Sequence, residues 1–231
     1  EVKSSGENYL KKPDGMSPTA YDAYKERAQF YPVIERTLRG MSGMVFRKPI
    51  KVELPTRLEP LIDAATTDGH SLRVMAENVI NEVLSVGRHG ILVDFPSENT
   101  TSTSIPYLAT YSAENITDWK IQLVDGKRML TRLVLKDDFD NDEDDNDGND
   151  SAEMRLELII NEDGNYEVRK WLASNAKKTD GKSETATWVM QGVPHVPTVQ
   201  GKPIKKIPFV FINPYDLRPE VQKPPMLDLV D

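Results

Sequence analysis

The chain has 231 residues, a net charge of −8 and no cysteine. The missing cysteines exclude disulfides, thiolate metal sites and cysteine nucleophiles, and the acidic balance argues against a general nucleic-acid binder, which neutralises phosphates with surplus lysine and arginine. No apolar run reaches the roughly 18 residues of a membrane span. We expect an extended arm at residues 1–16, one domain at residues 17–231, and further domains beyond residue 231, because the sequence ends in what resembles the opening of a helix.

Two helices are predicted near the start of the domain. Ser17 followed by Pro18 is typical of an N-cap and a first helical position, and predicts a helix that continues to about Phe30. Pro32 interrupts this helix and begins a second one, which extends toward Phe46.

Two glycines, Gly40 and Gly43, lie in the second predicted helix. Each weakens a helix by roughly 1 kcal/mol relative to alanine. The pair therefore indicates either close backbone packing against another element or a frayed helix end, and the sequence leaves both interpretations open.

The next segment alternates in polarity. Ile50, Val52 and Leu54 are separated by charged residues, a pattern that predicts an amphipathic strand. A brief helix is predicted at residues 61–65.

A helix followed by a strand is predicted at residues 71–96. Apolar residues recur every three or four positions between Ser71, a good N-cap, and Gly87, a good helix stop. Ile91, Leu92 and Val93 then form a short apolar run that suits a buried strand. We expect residues 87–90 to be a tight connection between the two.

The second half of the chain predicts antiparallel strands. Asp125-Gly126 and the segment 161–164 are turn sequences, each between two apolar or alternating runs. Further predicted elements are strands at 106–111, 185–190 and 209–212, one helical turn or corner at 113–116, and a helix that begins at 226. This order predicts an α+β fold in which N-terminal helices pack on a mainly antiparallel sheet, with one helix–strand unit.

Two polar loops are predicted, at residues 137–150 and 174–183. The first carries nine acidic residues and no basic residue, which is typical of a solvated loop. A calcium loop is an alternative interpretation, but aligning Gly148 with the loop glycine places Met154 where a bidentate glutamate is required.

The sequence contains no motif that identifies an enzyme, a cofactor or a metal site. The histidines lack the spacing that places two imidazoles on one helix face, and no nucleophile elbow or phosphate-binding loop is present. A metal-dependent nuclease that uses Asp94, Glu114 and Asp118 is the enzymatic alternative, although no catalytic lysine or matching motif accompanies these carboxylates.

A basic segment interrupts the acidic chain. Between Asp22 and Arg57 eight basic residues accompany four acidic ones, and Arg36, Arg39, Arg47 and Lys48 are at its centre. Such a surface suits DNA or an acidic neighbour, and equally a solvated face.

Several segments together resemble portal proteins of tailed bacteriophages. The matching segments are 9–49, 68–96, 106–121, 207–214 and 224–231, in order and approximate spacing. The joint occurrence of GRHGILVDFP (87–96), SAENITDW (112–119) and IPFVFINP (207–214) is much more specific than any one of them. The acidic loop and residues 174–201 do not match.

The resemblance implies an amino-terminal, wing-region fragment of a structural ring subunit, usually one of twelve, at the capsid vertex of the virion, assembled in the host cytoplasm. Its partners would be other portal subunits, capsid and scaffolding proteins, terminase, head-completion proteins and the double-stranded DNA that passes through the ring. Neither a membrane nor a cofactor is implied. In this setting Arg88 becomes a candidate intersubunit contact beside the basic segment.

Overall fold

The computed structural model of the chain describes residues 6–28, 33–95, 105–137, 153–174 and 187–229. These ranges have the α+β fold predicted from the sequence, with helices first and antiparallel strands after them. Nearly all of the two predicted polar loops, at 137–150 and 174–183, lies outside the described residues.

The described helices agree closely with the prediction. Ser17 and Ser71 accept hydrogen bonds from Ala20 N and Val74 N and so cap the first and third α-helices, while Gly87 ends the third in the left-handed conformation, at φ +85°. The α-helices are α1 (Pro18–Arg27), α2 (Val33–Val45) and α3 (Leu72–Val86), and 3₁₀-helices span Gly6–Asn8, Thr56–Ile62, Ala113–Asn115 and Leu227–Leu229.

The strands follow the predicted hairpins. Asp125 and Gly126 both have positive φ, as a two-residue hairpin turn requires, and join two long strands. The strands are β1 (His89–Asp94), β2 (Tyr107–Ser112), β3 (Ile116–Val124), β4 (Lys127–Asp137), β5 (Met154–Ile160), β6 (Tyr166–Ser174), β7 (Thr187–His195), β8 (Thr198–Val199), β9 (Lys202–Pro203) and β10 (Phe209–Ile212).

The strands form two main sheets rather than one. A three-stranded sheet has the order β10-β1-β2, a five-stranded meander has the order β3-β4-β5-β6-β7, and β8 pairs with β9 in a small hairpin. All of these pairs are antiparallel.

The main core lies between the two sheets. The small sheet contributes Leu92, Tyr111, Phe209 and Phe211, and the large sheet contributes leucines of β4 and β5. Gly90 also faces this core, because a Cβ atom there would lie 2.2 Å from Cζ of Phe209. Sheet-on-sheet packing therefore builds the centre of the fold, and α3 lies beside it, in contact with α2 and β1.

The structure differs from the prediction in the first third of the chain. Residues 50–54 form no strand: Val52 and Leu54 are half-buried and Lys51 and Glu53 exposed, but no described segment pairs with them. The alternation of apolar and charged residues therefore indicates which side chains are buried, but here it is not accompanied by pairing with another strand. The predicted short helix is a 3₁₀-helix that begins earlier, at Thr56.

Gly40 and Gly43 lie in open space. Among the described residues, and apart from the backbone of α2 itself, no heavy atom lies within 4 Å of a Cβ atom built at either position, and α2 continues through both to Val45. Close packing against another element and a frayed helix end are therefore both wrong for the described chain.

The predicted strands 91–93 and 209–212 are both present, with two adjustments. β1 begins at His89, so that only Gly87 and Arg88 separate it from α3. β10 is an edge strand, and its Val210 is 43% exposed, so this strand is buried on one face only.

Candidate functional site

The predicted basic surface is present on α2 and just after it. Arg36, Arg39, Arg47 and Lys48 are all exposed. Arg39 forms an ion pair of 2.6 Å with Glu35, but side chains 79% and 56% exposed stabilise the fold little by such a contact. These four cations are therefore accessible to a partner.

Arg88 does not belong to this surface. Its exposure is only 4%, because its position directly before β1 directs the side chain into the fold. The Nη2 atom donates to the carbonyl oxygens of Ala113 (2.7 Å) and Ile116 (3.0 Å), and Nη1 donates to that of Pro219 (3.2 Å). The prediction that Arg88 contacts a neighbouring subunit is thus wrong for this geometry, because the side chain is buried and both terminal nitrogens of its guanidinium donate within its own chain.

An aromatic ring completes the environment of Arg88. The guanidinium carbon lies 4.8 Å from the centre of the Trp119 ring, whose centre is 6.1 Å from that of Phe211. No carboxylate among the described residues pairs with Arg88, and burial lowers the pKa of its guanidinium. We refer to Arg88, Ala113, Ile116, Trp119 and Pro219 as the Arg88 junction; it joins the start of β1, the corner between β2 and β3, and the segment after β10.

The segment after β10 is shaped by a buried asparagine. The side chain of Asn213 is 6% exposed; its Oδ1 accepts hydrogen bonds from the backbone of Tyr215 and Asp216, and its Nδ2 donates to the carbonyl oxygen of Arg218. This turn places Pro219 beside Arg88. The sequence contained a signal for it, because Asn-Pro directly after a strand favours a turn.

The same segment continues onto the end of α3. A Cβ atom at Gly87 would lie 2.4 Å from the carbonyl oxygen of Gln222, so only glycine permits this approach. Further along, Met226 N donates to the carbonyl oxygen of Leu84. The start of β1, the corner at 113–116 and the segment 213–226 are therefore held together around one buried arginine and the end of α3.

No family model matches the sequence, and no curated protein matches it. The geometry of the described residues is therefore the main test of each candidate site.

The three carboxylates of the nuclease alternative are not brought together. Asp94 is at the end of β1, where it accepts a hydrogen bond from Tyr107 Oη; burial, and then the Asp94 carboxylate, raise the pKa of that phenol to about 12. Glu114 lies beyond the opposite end of the strand, roughly 16 Å away at 3.3 Å per residue. Asp118 forms an ion pair with Arg132.

Metal ligands are not grouped elsewhere in the described part of the chain. No set of three or more histidine or acidic side chains could hold an ion there. His89 is buried, and neither of its ring nitrogens has a hydrogen-bond partner; burial lowers its pKa to about 4. The calcium alternative rests on 137–150, of which only Asp137 is described.

A small apolar cleft lies next to the basic surface. Its volume is about 180 Å³, and its walls are Pro49, Ile50, Val52, Ile62, Leu72 and Arg73. It contains no candidate nucleophile or general base. Among the described helices, none is long and apolar enough to cross a membrane.

Proposed function

We propose that this chain belongs to a structural subunit of a phage portal ring, which serves head assembly, terminase docking and DNA passage at the capsid vertex. The observation that carries the proposal is the Arg88 junction. The segments that resemble portal proteins contribute its buried contacts: Arg88 comes from the first and Trp119 from the second, whose indole packs on Phe211 of the third. The segments that resemble portal proteins would then be alike because they build the same buried framework. A protein with a structural role requires such a framework.

The basic surface is the proposed contact region for a neighbouring subunit or for DNA. A ring forms through head-to-tail interfaces, in which two different surfaces of the same subunit meet. Arg36, Arg39, Arg47 and Lys48 are exposed, and they belong to a basic stretch of a chain whose net charge is −8. An acidic surface of the next copy would complement them.

Under this proposal the protein is located in the virion at the portal vertex and is assembled in the host cytoplasm. Its partners are other portal subunits, usually twelve in a ring, the capsid and scaffolding proteins, the terminase and the head-completion proteins. Double-stranded DNA passes through the ring. The subunit needs no cofactor and no catalytic residue, because the terminase hydrolyses ATP.

Electron microscopy of the complete protein that contains this chain tests the proposal. We expect closed rings with a central hole; a uniformly monomeric product would contradict the ring assignment. The contribution of the basic surface is tested separately by replacing Arg36, Arg39, Arg47 and Lys48 with glutamate.

The matched control replaces Lys127 and Arg128, exposed residues at the turn of the β3–β4 hairpin, with glutamate. We expect the four-residue variant to lose rings while its melting temperature stays within a few degrees of the wild type, and the control to keep rings. Intact rings in both variants would remove the basic surface from the interface and leave the portal assignment standing.

A further inference from the structure

The last strand of the meander has an unpaired edge. β7 lies at one end of the order β3-β4-β5-β6-β7, and no described strand pairs with its other side. Exposed strand edges present free backbone N–H and C=O groups, and proteins commonly cover them or interrupt them with lysine, proline or a bulge. Whether β7 carries such protection decides whether it can accept another strand.

The protection of β7 is confined to its second half. Val168 pairs with His195 and Lys170 with Gln191, so that residues 192–194 oppose one residue of β6 and form a bulge that contains Gly192 and Pro194. Residues 188–191, before the bulge, keep a regular register with β6 and contain neither lysine nor proline.

Apolar side chains are exposed on both faces of this regular half. Val189 pairs with Leu172 and is 49% exposed; Met190 pairs with Trp171, on the opposite face, and is 41% exposed. A strand added to β7 would cover both side chains and extend both faces of the sheet. The exposed edge is therefore apolar as well as unpaired.

A cluster of lysines lies at the His195 end of β7. Residues 187–215 contain no aspartate or glutamate, although the whole chain has 37. Lys202, Lys205 and Lys206 are exposed, and none of them forms an ion pair with a described residue. Most cations of the neighbouring strands are paired, as Arg132 and Arg169 are.

Backbone contacts fix these lysines next to the edge. Tyr166 N donates to the carbonyl oxygen of Ile204 at 2.6 Å, two residues from the Val168–His195 pair, and Ile204 N donates to Pro197 O. The β8–β9 hairpin is thus anchored where β7 ends. Ile204, next to Lys205 in sequence, bonds to Tyr166, which is four β6 residues, or roughly 13 Å, from the Lys170–Gln191 pair.

We infer that the edge of β7 binds an extended acidic peptide as an additional antiparallel strand. The backbone of residues 188–191 supplies the hydrogen bonds, Val189 and Met190 supply apolar contacts, and the three lysines pair with carboxylates of the peptide. In an antiparallel arrangement the acidic residues precede the apolar ones in the partner. This surface is separate from the basic surface of α2, and the inference does not depend on the portal assignment.

Charge decides for an acidic peptide over a second copy of β7. Two β7 edges that paired antiparallel would place each lysine cluster beside the start of the other β7. The sequence 177–184 before that start has three lysines and two acidic residues, so it supplies no net negative charge and the lysines would gain no net attraction. An acidic partner would contact both the exposed edge of β7 and the three lysines.

The probe is a labelled peptide with four aspartates, a Gly-Ser spacer and the sequence Val-Thr-Val-Thr-Val, titrated into the complete chain while fluorescence anisotropy is measured. We expect saturable binding, and hydrogen exchange at the amides of residues 188–191 that slows when peptide is added. A peptide with lysine in place of aspartate should bind at least about 10-fold more weakly, since the surface cluster is basic.

Two variants and a control complete the test. Val189→Lys should abolish binding, and Lys202→Glu with Lys205→Glu and Lys206→Glu should weaken it by about 10-fold or more. Leu123→Lys changes another exposed apolar residue, 72% exposed against 49% for Val189, on β3 at the opposite edge of the sheet, and should bind normally.

Unchanged binding by the triple lysine variant, or equal losses in Val189→Lys and Leu123→Lys, would overturn the inference. Dimerisation through β7 that excludes the peptide would overturn it as well. Should Val189→Lys fail to fold, the exchange protection of residues 188–191 in the wild type decides, and its absence counts against the inference.

Discussion

Two arginines of this chain show how differently a cation can be used. Arg88 is 4% exposed and donates only to backbone carbonyl oxygens, whereas Arg132, on the outer face of the large sheet, lies between the carboxylates of Asp118 and Glu157. The side chain of Arg132 is 40% exposed. Of these two arginines, Arg132 forms its salt bridges at the surface. Arg88, which pairs with no described carboxylate, connects segments inside the fold.

The difference teaches which contacts hold the fold. Arg132 and Asp118 are solvated when their contacts are lost, and Glu157, 12% exposed, keeps the hydrogen bond from Trp171 Nε1, so we expect these ion pairs to contribute little. At the Arg88 junction the bonds to Ile116 and Pro219 are buried, and a buried carbonyl left without a donor costs about 1–3 kcal/mol. The substitutions below sharpen this contrast, in order of decreasing expected effect.

Arg88→Met should destabilise the chain by about 3–5 kcal/mol, because methionine fills part of the space but removes the guanidinium donor from three carbonyl oxygens, of which that of Ala113 keeps the backbone N–H of Ile116. Urea unfolding at neutral pH measures the loss. Arg128→Met, at an exposed hairpin position, is the matched control and should change the unfolding free energy by less than about 0.5 kcal/mol. Similar losses in both variants would refute the special role of the junction.

Gly90→Ala should cost about 2–3 kcal/mol, because the new methyl group would lie 2.2 Å from Cζ of Phe209 and 2.9 Å from Cδ1 of Ile116 in the core. Gly40→Ala is the counterpart in open space on α2, and should stabilise by up to about 1 kcal/mol through helix propensity. Thermal unfolding of both variants makes the comparison. Equal effects of the same sign would contradict the described surroundings of Gly90.

Acid should destabilise the chain through His89. Its pKa is lowered to about 4 in the folded state by burial, and an unfolded histidine has a pKa near 6.5, so the unfolded state binds more protons between these values. Stability should therefore fall by about 2–3 kcal/mol as the pH drops from about 6.5 to about 4. The slope of unfolding free energy against pH should be smaller in His89→Met; an unchanged slope would assign the acid sensitivity to other groups.

Arg132→Met should have the smallest effect, about 1 kcal/mol or less, because its ion pairs are partly exposed. The difference from the wild type should shrink further in 1 M salt, which screens surface charges over about 3 Å. Urea unfolding at low and high salt measures it. A loss of unfolding free energy as large as that of Arg88→Met would contradict the difference between the two regions.

Local patterns predicted most of the elements. The N-caps Ser17 and Ser71, the stop at Gly87 and the Asp125-Gly126 turn each act through their own backbone, so their sequence signals suffice. The unpaired segment 50–54 shows the limit of this reasoning. Alternation reports which side chains are buried, but a ladder requires a partner strand that the local sequence does not specify.

The candidate site was harder to predict because its contacts are distant in sequence. Arg88 bonds to Pro219, 131 residues later, and nothing near Arg88 distinguishes it from the exposed cations of α2. Periodicity assigns side chains to faces only within a helix or a strand. Arg88 lies in the connection between α3 and β1, where neither the helical nor the strand period predicts the direction of its side chain. The division into two sheets was missed for the same reason, since each hairpin is local but the packing between them is not.

Hydrogen exchange of the wild type and Arg88→Met tests most directly whether the Arg88 junction holds distant segments together. In the variant, we expect faster exchange in residues 113–119 and 213–222, which the guanidinium connects, and unchanged exchange in the β5–β6 hairpin. Equal exchange rates in both proteins across residues 113–119 and 213–222, or uniform acceleration over the whole chain, would contradict a junction that acts at these segments.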